Sequence, residues 1–301
     1  MVEQGLSTAL IVEDDIDWDV RLKQQLATFS QASRQFLEQT RQGSQKSVLN
    51  SNFPLETAQP RQQEQTTEDD KEQSHGEGLE ATTTVNSREI VKPLYGDGWD
   101  VIWLGHCGTN FPDPGDVDSS DDLDSPGNNT AMISPVRVVI SNDYTVPAPE
   151  HLRPHPFASL DPLGEQYPPH TRVVHASNGT VCTLAYAVSQ QAARKLLWRF
   201  GLETFTTGWD LMLRDWCDGN YQSGSKEASD PRSPMCLTVQ PPLFSHYFSG
   251  PGSSDIQGLG GGYARKKGTP YVRLSVRMNM AKLASGAPTE ELEDQWPEGA
   301  D

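Results

Sequence analysis

The side chains best suited to chemistry are five carboxylates that lie within residues 13–19. They follow the apolar run Thr8–Val12, so the pattern predicts a buried strand that ends in a cluster of negative charge. Divalent cations such as Mg²⁺ and Mn²⁺ prefer oxygen ligands, and α/β sheets present their sites at the carboxyl ends of strands. The residue types therefore predict a metal site, and the simpler alternative is a solvated acidic turn that caps the next helix.

Several further segments predict the elements that must position this cluster. Apolar residues at helical spacing predict a helix from about Asp17 to Arg41, in one or two pieces. A second helix is expected after Ser189, which is a favourable N-cap, and a short third helix over residues 206–217. Strands or extended segments are expected at Trp99–Gly105, Val136–Ile140, Thr171–His175, the first part of residues 179–189, and 239–247.

Three segments are too polar to form a core and divide the chain. Residues 43–88 predict a disordered insertion inside a domain formed by residues 1–42 and 89–285. Residues 113–131 form an acidic loop without the ligand spacing of an EF-hand, and a solvated loop is the preferred interpretation. Residues 286–301 predict a disordered acidic tail.

Composition limits the classes of partner. The formal net charge of −17 repels a phosphate backbone, which argues against nucleic acid as a partner. No window of the sequence has the run of apolar residues that a membrane span needs. The four cysteines have no zinc-ligand spacing, and their sequence positions leave all three possible disulfide pairings open.

Two families have an early strand that ends in acidic residues, as the segment Leu10–Asp15 does. The response-regulator receiver domain is the first, but it needs a phospho-accepting Asp at the end of a further strand. Asp100 stands at the beginning of its predicted strand instead, which disfavours a receiver-like signalling domain.

The sequence resembles the second family, glycosyltransferase family 25, in four places that occur in the family's order. These are Ala9–Asp15 as its LEDD motif, Trp99–Gly105 as its WD-hydrophobic-LG strand, Gly179–Leu197 as its GT-x-x-Y-x-x-S block, and Gly208–Leu213 as its D-x-x-L helix. The resemblance implies an α/β nucleotide-sugar domain of the GT-A type, related to the Rossmann fold. It also implies an inverting, Mn²⁺-dependent (or Mg²⁺-dependent) transfer of a hexose, typically galactose from UDP-galactose, to a glycan or protein acceptor.

The resemblance also implies roles for the acidic residues. Asp15, with Asp17 or Asp14 beside it, would bridge the metal ion to the diphosphate. Glu13 would lie at the strand end and face the sugar or the ribose. His246 matches the C-terminal metal or diphosphate ligand of GT-A enzymes, although a lone histidine is more often an ordinary surface or packed residue.

Asp210 is the candidate catalytic base, because inversion needs a carboxylate that deprotonates the acceptor hydroxyl from the face opposite the leaving group. The alternative is a capping box that begins at Thr207, in which Asp210 satisfies the first turn of its helix. Both roles are compatible, since a helix N-terminus favours an ionised carboxylate.

The chain departs from the family before the acidic motif. Family members carry a preceding segment with a strand and an Arg-rich turn that contacts the nucleotide, and this sequence does not show it. The expected domain is therefore N-terminally incomplete with an unpaired sheet edge, and a non-catalytic relative that acts as a binding protein is the alternative function. Localisation stays open between a secretory lumen, where the sequons at Asn128 and Asn178 would be used, and the cytoplasm.

Overall fold

A computed structural model describes residues 1–41, 49–51, 93–112, 136–154, 159–203, 205–220, 234–249 and 267–299. Most of the insertion expected at 43–88, and all of the acidic loop expected at 113–131, lie outside the described residues. Within the first of these, Leu49–Ser51 forms a short strand.

The described residues form nine strands and five α-helices. The strands are β1 (Thr8–Val12), β2 (Ile16–Trp18), β3 (Leu49–Ser51), β4 (Val101–Gly105), β5 (Arg137–Ile140), β6 (Arg172–Ala176), β7 (Ala185–Ser189), β8 (Cys236–Gln240) and β9 (Phe244–His246). The helices are α1 (Leu22–Arg41), α2 (Leu163–Gln166), α3 (Gln190–Leu196), α4 (Trp209–Cys217) and α5 (Val276–Ala284). A π-helical segment, Leu197–Glu203, continues α3.

The strands form one open, mixed sheet in the order β1-β7-β4-β8-β6-β5-β3, and β9 pairs with both β4 and β2. Most of the pairings are antiparallel, whereas β4 runs parallel to β8 and β9, and β3 runs parallel to β5. The expected α/β class is thus confirmed. No helix in the part of the chain that the structure describes is long and apolar enough to cross a membrane.

Helices cover both faces of the sheet, and the side chains of β4 alternate between the two faces. Ile102 and Leu104 face the core under α1, whereas Val101 and Trp103 face the core formed with α3 and α4. All five residues of β4 are buried, as the apolar run Trp99–Gly105 predicts. The Ser189 cap is also confirmed, because its hydroxyl accepts a hydrogen bond from the Ala192 N–H.

The opening strand exists as predicted, but its expected burial is wrong. Leu10 and Val12 are 54% and 49% exposed, because β1 is an edge strand and, among the strands that the structure describes, pairs only with β7. The helix expected from about Asp17 begins only at Leu22, since Ile16–Trp18 pairs with β9 as a strand.

The C-terminal residues differ from the disordered tail that the composition predicts. Arg273 forms ion pairs with Asp294, at 2.5 Å, and with Glu298, at 3.0 Å. The Gln295 side chain accepts a hydrogen bond from the Thr269 N–H and donates one to the Val272 carbonyl. Polar contacts therefore hold this segment against the residues before α5. The prediction of disorder is wrong because it considers only the low apolar content of the segment.

Two disulfides resolve the pairing that the sequence leaves open: Cys107–Cys182 and Cys217–Cys236. The first joins the loop after β4 to the segment before β7. The second joins the end of α4 to the start of β8. The first bond lies near the carboxyl end of β1, whereas Cys236 is paired with Val101, at the end of the sheet where β1 begins.

Candidate functional site

The candidate site lies where the chain leaves β1 and meets β9 and the beginning of α4. Antiparallel pairing of β2 with β9 places Ile16 opposite His246. The Tyr247 N–H donates to the Asp15 carbonyl, which continues that pairing by one residue. The His246 Nε2 atom consequently lies 3.0 Å from Asp15 Oδ2.

Asp15 has one carboxylate oxygen that is engaged and one that is not. Its Oδ1 atom is buried and has no hydrogen-bond partner in the structure, although the side chain as a whole is 33% exposed. The hydrogen bond from His246 is the main reason that the pKa of Asp15 lies below its usual value, and nearby Arg277 acts in the same direction. Asp15 is therefore an ionised carboxylate with a free acceptor position.

Glu13 lies beside Asp15 and is held by the segment before β7. Its N–H donates to the Leu184 carbonyl at 3.0 Å, and its carboxylate accepts a hydrogen bond from the Thr183 hydroxyl at 3.0 Å. Although the residue is exposed, the surrounding protein partly desolvates the carboxyl and raises its pKa. The Thr183 bond opposes this increase, and the negative charges of Asp15 and Asp210 add to it.

Asp210 stands in the first turn of α4, close enough to Glu13 for its charge to raise the pKa of that residue. Its Oδ2 atom accepts a long hydrogen bond, 3.4 Å, from the Cys182 N–H. The helix begins after Gly208, and no side chain caps it, so the capping box expected from Thr207 does not form. The acidic side chain still faces the positive end of the helix dipole.

The structure does not bring Asp17 into this group. Asp17 is fully buried, and its carboxylate accepts hydrogen bonds from the Thr269 and Ser275 hydroxyls and from the Arg277 N–H. These bonds fasten β2 to the N-terminus of α5, which is a structural role. Asp14 is exposed, and its carbonyl accepts a hydrogen bond from the Arg277 guanidinium.

Sequence reasoning missed the residues that hold the site together. The Thr183 hydroxyl donates to Glu13, and the Cys182 N–H donates to Asp210. The Cys107–Cys182 disulfide anchors this segment to the loop after β4. Arg277 spans the turn after β1, because its guanidinium also donates to the Ile16 carbonyl and lies over the Tyr247 ring. The only sequence signal for Arg277 is that it lies near the other cationic residues Lys266, Lys267 and Arg273.

The chemistry of this group suits a metal ion that takes ligands from a substrate as well as from the protein. Within the described ranges, no group of three or more His, Cys, Asp or Glu side chains is placed to hold a metal ion. Asp15 nevertheless offers the partnerless Oδ1 atom, and a metal ion held by both side chains would replace the proton that His246 Nε2 donates to Asp15 Oδ2. Mg²⁺ is commonly held by one or two carboxylates together with substrate phosphates and water.

Comparisons of this chain with protein-family models, with curated proteins and with solved structures give no match.

Proposed function

We propose that this protein is a metal-dependent, inverting glycosyltransferase of the GT-A type that transfers a hexose from a UDP-sugar to an acceptor hydroxyl, with galactose as the first candidate. The observation that carries the proposal is the Asp15–His246 pair with its partnerless buried oxygen, facing the carboxylates of Glu13 and Asp210. The resemblance to glycosyltransferase family 25 in four ordered segments supports the same reading.

Asp15 and His246 would hold Mn²⁺ or Mg²⁺, and the diphosphate and water would complete the coordination. The bound ion would supply Lewis-acid stabilisation of the negative charge that develops on the departing UDP. Asp17 does not take part, because all its acceptor capacity is used inside the protein. Asp14 contributes through its backbone, which Arg277 fixes.

Asp210 would act as the general base. The acceptor oxygen forms a bond to the anomeric carbon while the bond from that carbon to the diphosphate oxygen breaks. The proton of the acceptor hydroxyl passes to the Asp210 carboxylate, and UDP leaves with the electron pair of the broken bond. Glu13, held by Thr183, would orient a hydroxyl group of the sugar or ribose.

The direct test is turnover of a panel of UDP-sugars by the full chain with and without Mn²⁺. We expect hydrolysis or transfer with at least one donor, and a fall in kcat of roughly 10²–10⁴-fold for Asp210→Asn, since removal of a general base has that effect. Asp215→Asn is the matched control, because Asp215 lies on the same helix and pairs only with neighbouring Arg214 among the side chains described.

Absence of UDP-sugar turnover and of UDP binding would overturn the enzyme proposal. The alternative of a non-catalytic binding protein would then gain support if the chain still binds a divalent ion. Equal loss of activity in Asp210→Asn and Asp215→Asn would contradict the role of Asp210 alone.

The two disulfides bear on localisation. Disulfides persist in oxidising compartments and are rare in the cytosol. We therefore favour a secretory lumen for this protein. Labelling of unreduced protein with a maleimide checks the premise, because four oxidised cysteines react only after reduction.

A further inference from the structure

An apolar pocket lies against the same sheet face as the candidate site. Its volume is about 360 Å³, and it is an open pocket lined by residues of β1, β7, α3, the π-helical segment and the start of α4. Its walls include Ile11, Tyr186, Leu197, Phe200, Phe205 and Trp209. None of the described residues that line it has a charged side chain.

The pocket lies beside the carboxylate group, although neither Glu13 nor Asp210 is among the residues that line it. Ile11 and Glu13 point to the same face of β1, because side chains alternate along a strand, and Ile11 pairs with Tyr186 on β7. The Trp209 indole N–H donates to the Tyr186 hydroxyl at 2.9 Å, and Asp210 follows Trp209 in the chain. The apolar walls and the carboxylates are therefore formed by neighbouring residues at the end of β1 and at the start of α4, on one side of the sheet.

The rim of the pocket is unusual for a protein surface, since large apolar side chains are exposed there. Leu197 is 56% exposed and Phe205 is 68% exposed. The π-helical segment at the rim is a rare conformation that often occurs at functional sites. Pockets of this size with apolar walls and a few polar groups at one end are typical of small-molecule binding sites.

We propose that this pocket binds the alkyl or aryl group of an amphiphilic acceptor, whose hydroxyl-bearing part then lies at Glu13 and Asp210. A cavity of ~150 Å³ holds one benzene ring, so this pocket has room for roughly twice that, on the order of a dozen carbon atoms. None of the described side chains in the walls carries a charge that would recognise an ionic group. Binding is independent of the proposed transferase activity, whereas the role as acceptor site rests on it.

Calorimetric titration of the full chain with three galactosides tests binding. Octyl β-galactoside carries an alkyl group, 4-methylumbelliferyl β-galactoside carries an aryl group, and methyl β-galactoside has neither. We expect at least one of the first two to bind at least ~10-fold more tightly than the methyl compound, which corresponds to about 1.4 kcal/mol. Preference between the two identifies the source of the apolar group.

Leu197→Glu and Leu202→Glu form a matched pair for locating the ligand. Both leucines belong to the π-helical segment and are exposed, by 56% and 69%, but only Leu197 lines the pocket. A carboxylate placed in the pocket wall opposes apolar binding, so Leu197→Glu should weaken it at least ~10-fold. Leu202→Glu should change it less than about twofold. Equal effects of the two variants, or equal affinity for all three galactosides, would overturn the proposal.

Transfer assays separate this proposal from the proposed function. With the UDP-sugar donor present, the better-bound galactoside should show a lower KM as acceptor than methyl β-galactoside, and Leu197→Glu should remove that difference. Equal KM values with measurable transfer would refute the acceptor role and leave the transferase standing. Selective binding without any transfer would refute the transferase and leave the pocket standing.

Discussion

Asp15 and Asp17 are two residues apart and have opposite environments. Asp15 is partly exposed, pairs with His246 and keeps one oxygen without a partner. Asp17 is fully buried and is surrounded by donors from β2 and the start of α5. The difference arises because β2 turns Asp17 into the protein, so a cluster that looks uniform in sequence contains one candidate ligand and one structural anchor.

Asp17→Ala is expected to lower the free energy of unfolding by about 3 kcal/mol, since hydrogen bonds to a charged group contribute ~1.5–3 kcal/mol and several donors would lose their acceptor. Urea denaturation measures this loss. The folded fraction should bind Mn²⁺ as the wild type does. A normal stability together with weakened Mn²⁺ binding would show that Asp17, and not only Asp15, serves the metal.

Thr183→Val is expected to raise the pKa of Glu13 further above its usual value. The hydrogen bond from the Thr183 hydroxyl stabilises the charged carboxylate in the wild type, and the variant lacks this bond. Titration of the Glu13 carboxyl carbon by NMR measures the shift. Thr40→Val is a suitable control, since the Thr40 hydroxyl bonds only within α1. An unchanged Glu13 pKa in Thr183→Val would contradict the arrangement described.

At the scale of elements, the local sequence pattern was sufficient to predict β4, α3 with its Ser189 cap, and the existence of β1. Local pattern could not show that β1 is an edge strand, because burial depends on which strands pair with it. The Asp15–His246 contact likewise results from long-range pairing of β2 with β9, and only the family resemblance indicated it. Thr183 and the disulfides had no local signal at all.

The Cys107–Cys182 disulfide should support both stability and the site. In Cys107→Ala/Cys182→Ala, the free energy of unfolding is expected to fall by about 4 kcal/mol, the loop-entropy estimate for a separation of 75 residues. The kcat should also fall, because Cys182 bonds to Asp210 and Thr183 bonds to Glu13. Denaturation and turnover measure the two effects.

The Cys217–Cys236 bond provides the control for this variant. Its loss in Cys217→Ala/Cys236→Ala is expected to cost about 3 kcal/mol for a separation of 19 residues, with kcat per folded molecule close to that of the wild type. If both double variants reduce kcat equally, the first disulfide has no special connection with the site.

At the scale of the whole molecule, two histidines buried in the sheet layer make stability depend on pH. Burial lowers the pKa of His106 and of His175 to about 4, so both are neutral in the folded protein. The unfolded chain binds protons at these positions below about pH 6.5. Stability is therefore complete above that value and is lost as the pH falls towards 4.

The two histidines together should lower the free energy of unfolding by up to about 3 kcal/mol per pH unit between roughly pH 6 and pH 4. Urea denaturation at pH 7, 6 and 5 measures this slope. His106→Gln keeps a donor for the Val239 carbonyl and should reduce the slope by about half. Equal stability of the wild type at pH 7 and pH 5 would contradict neutral burial of both rings. Burial raises the pKa of the Asp161 carboxyl, so the folded protein takes up this proton more readily than the unfolded chain. At the acidic end of this range, Asp161 therefore offsets part of the stability loss that the two histidines cause.

The proposed function depends most on whether Asp15 and His246 hold a divalent metal ion together with a nucleotide diphosphate. Electron paramagnetic resonance titration of Mn²⁺ into the full chain, with and without saturating UDP, tests it most directly. We expect UDP to tighten Mn²⁺ binding in the wild type, and Asp15→Ala to weaken binding in the presence of UDP at least ~10-fold while the protein stays folded. Mn²⁺ binding that is indifferent both to UDP and to Asp15→Ala would contradict it.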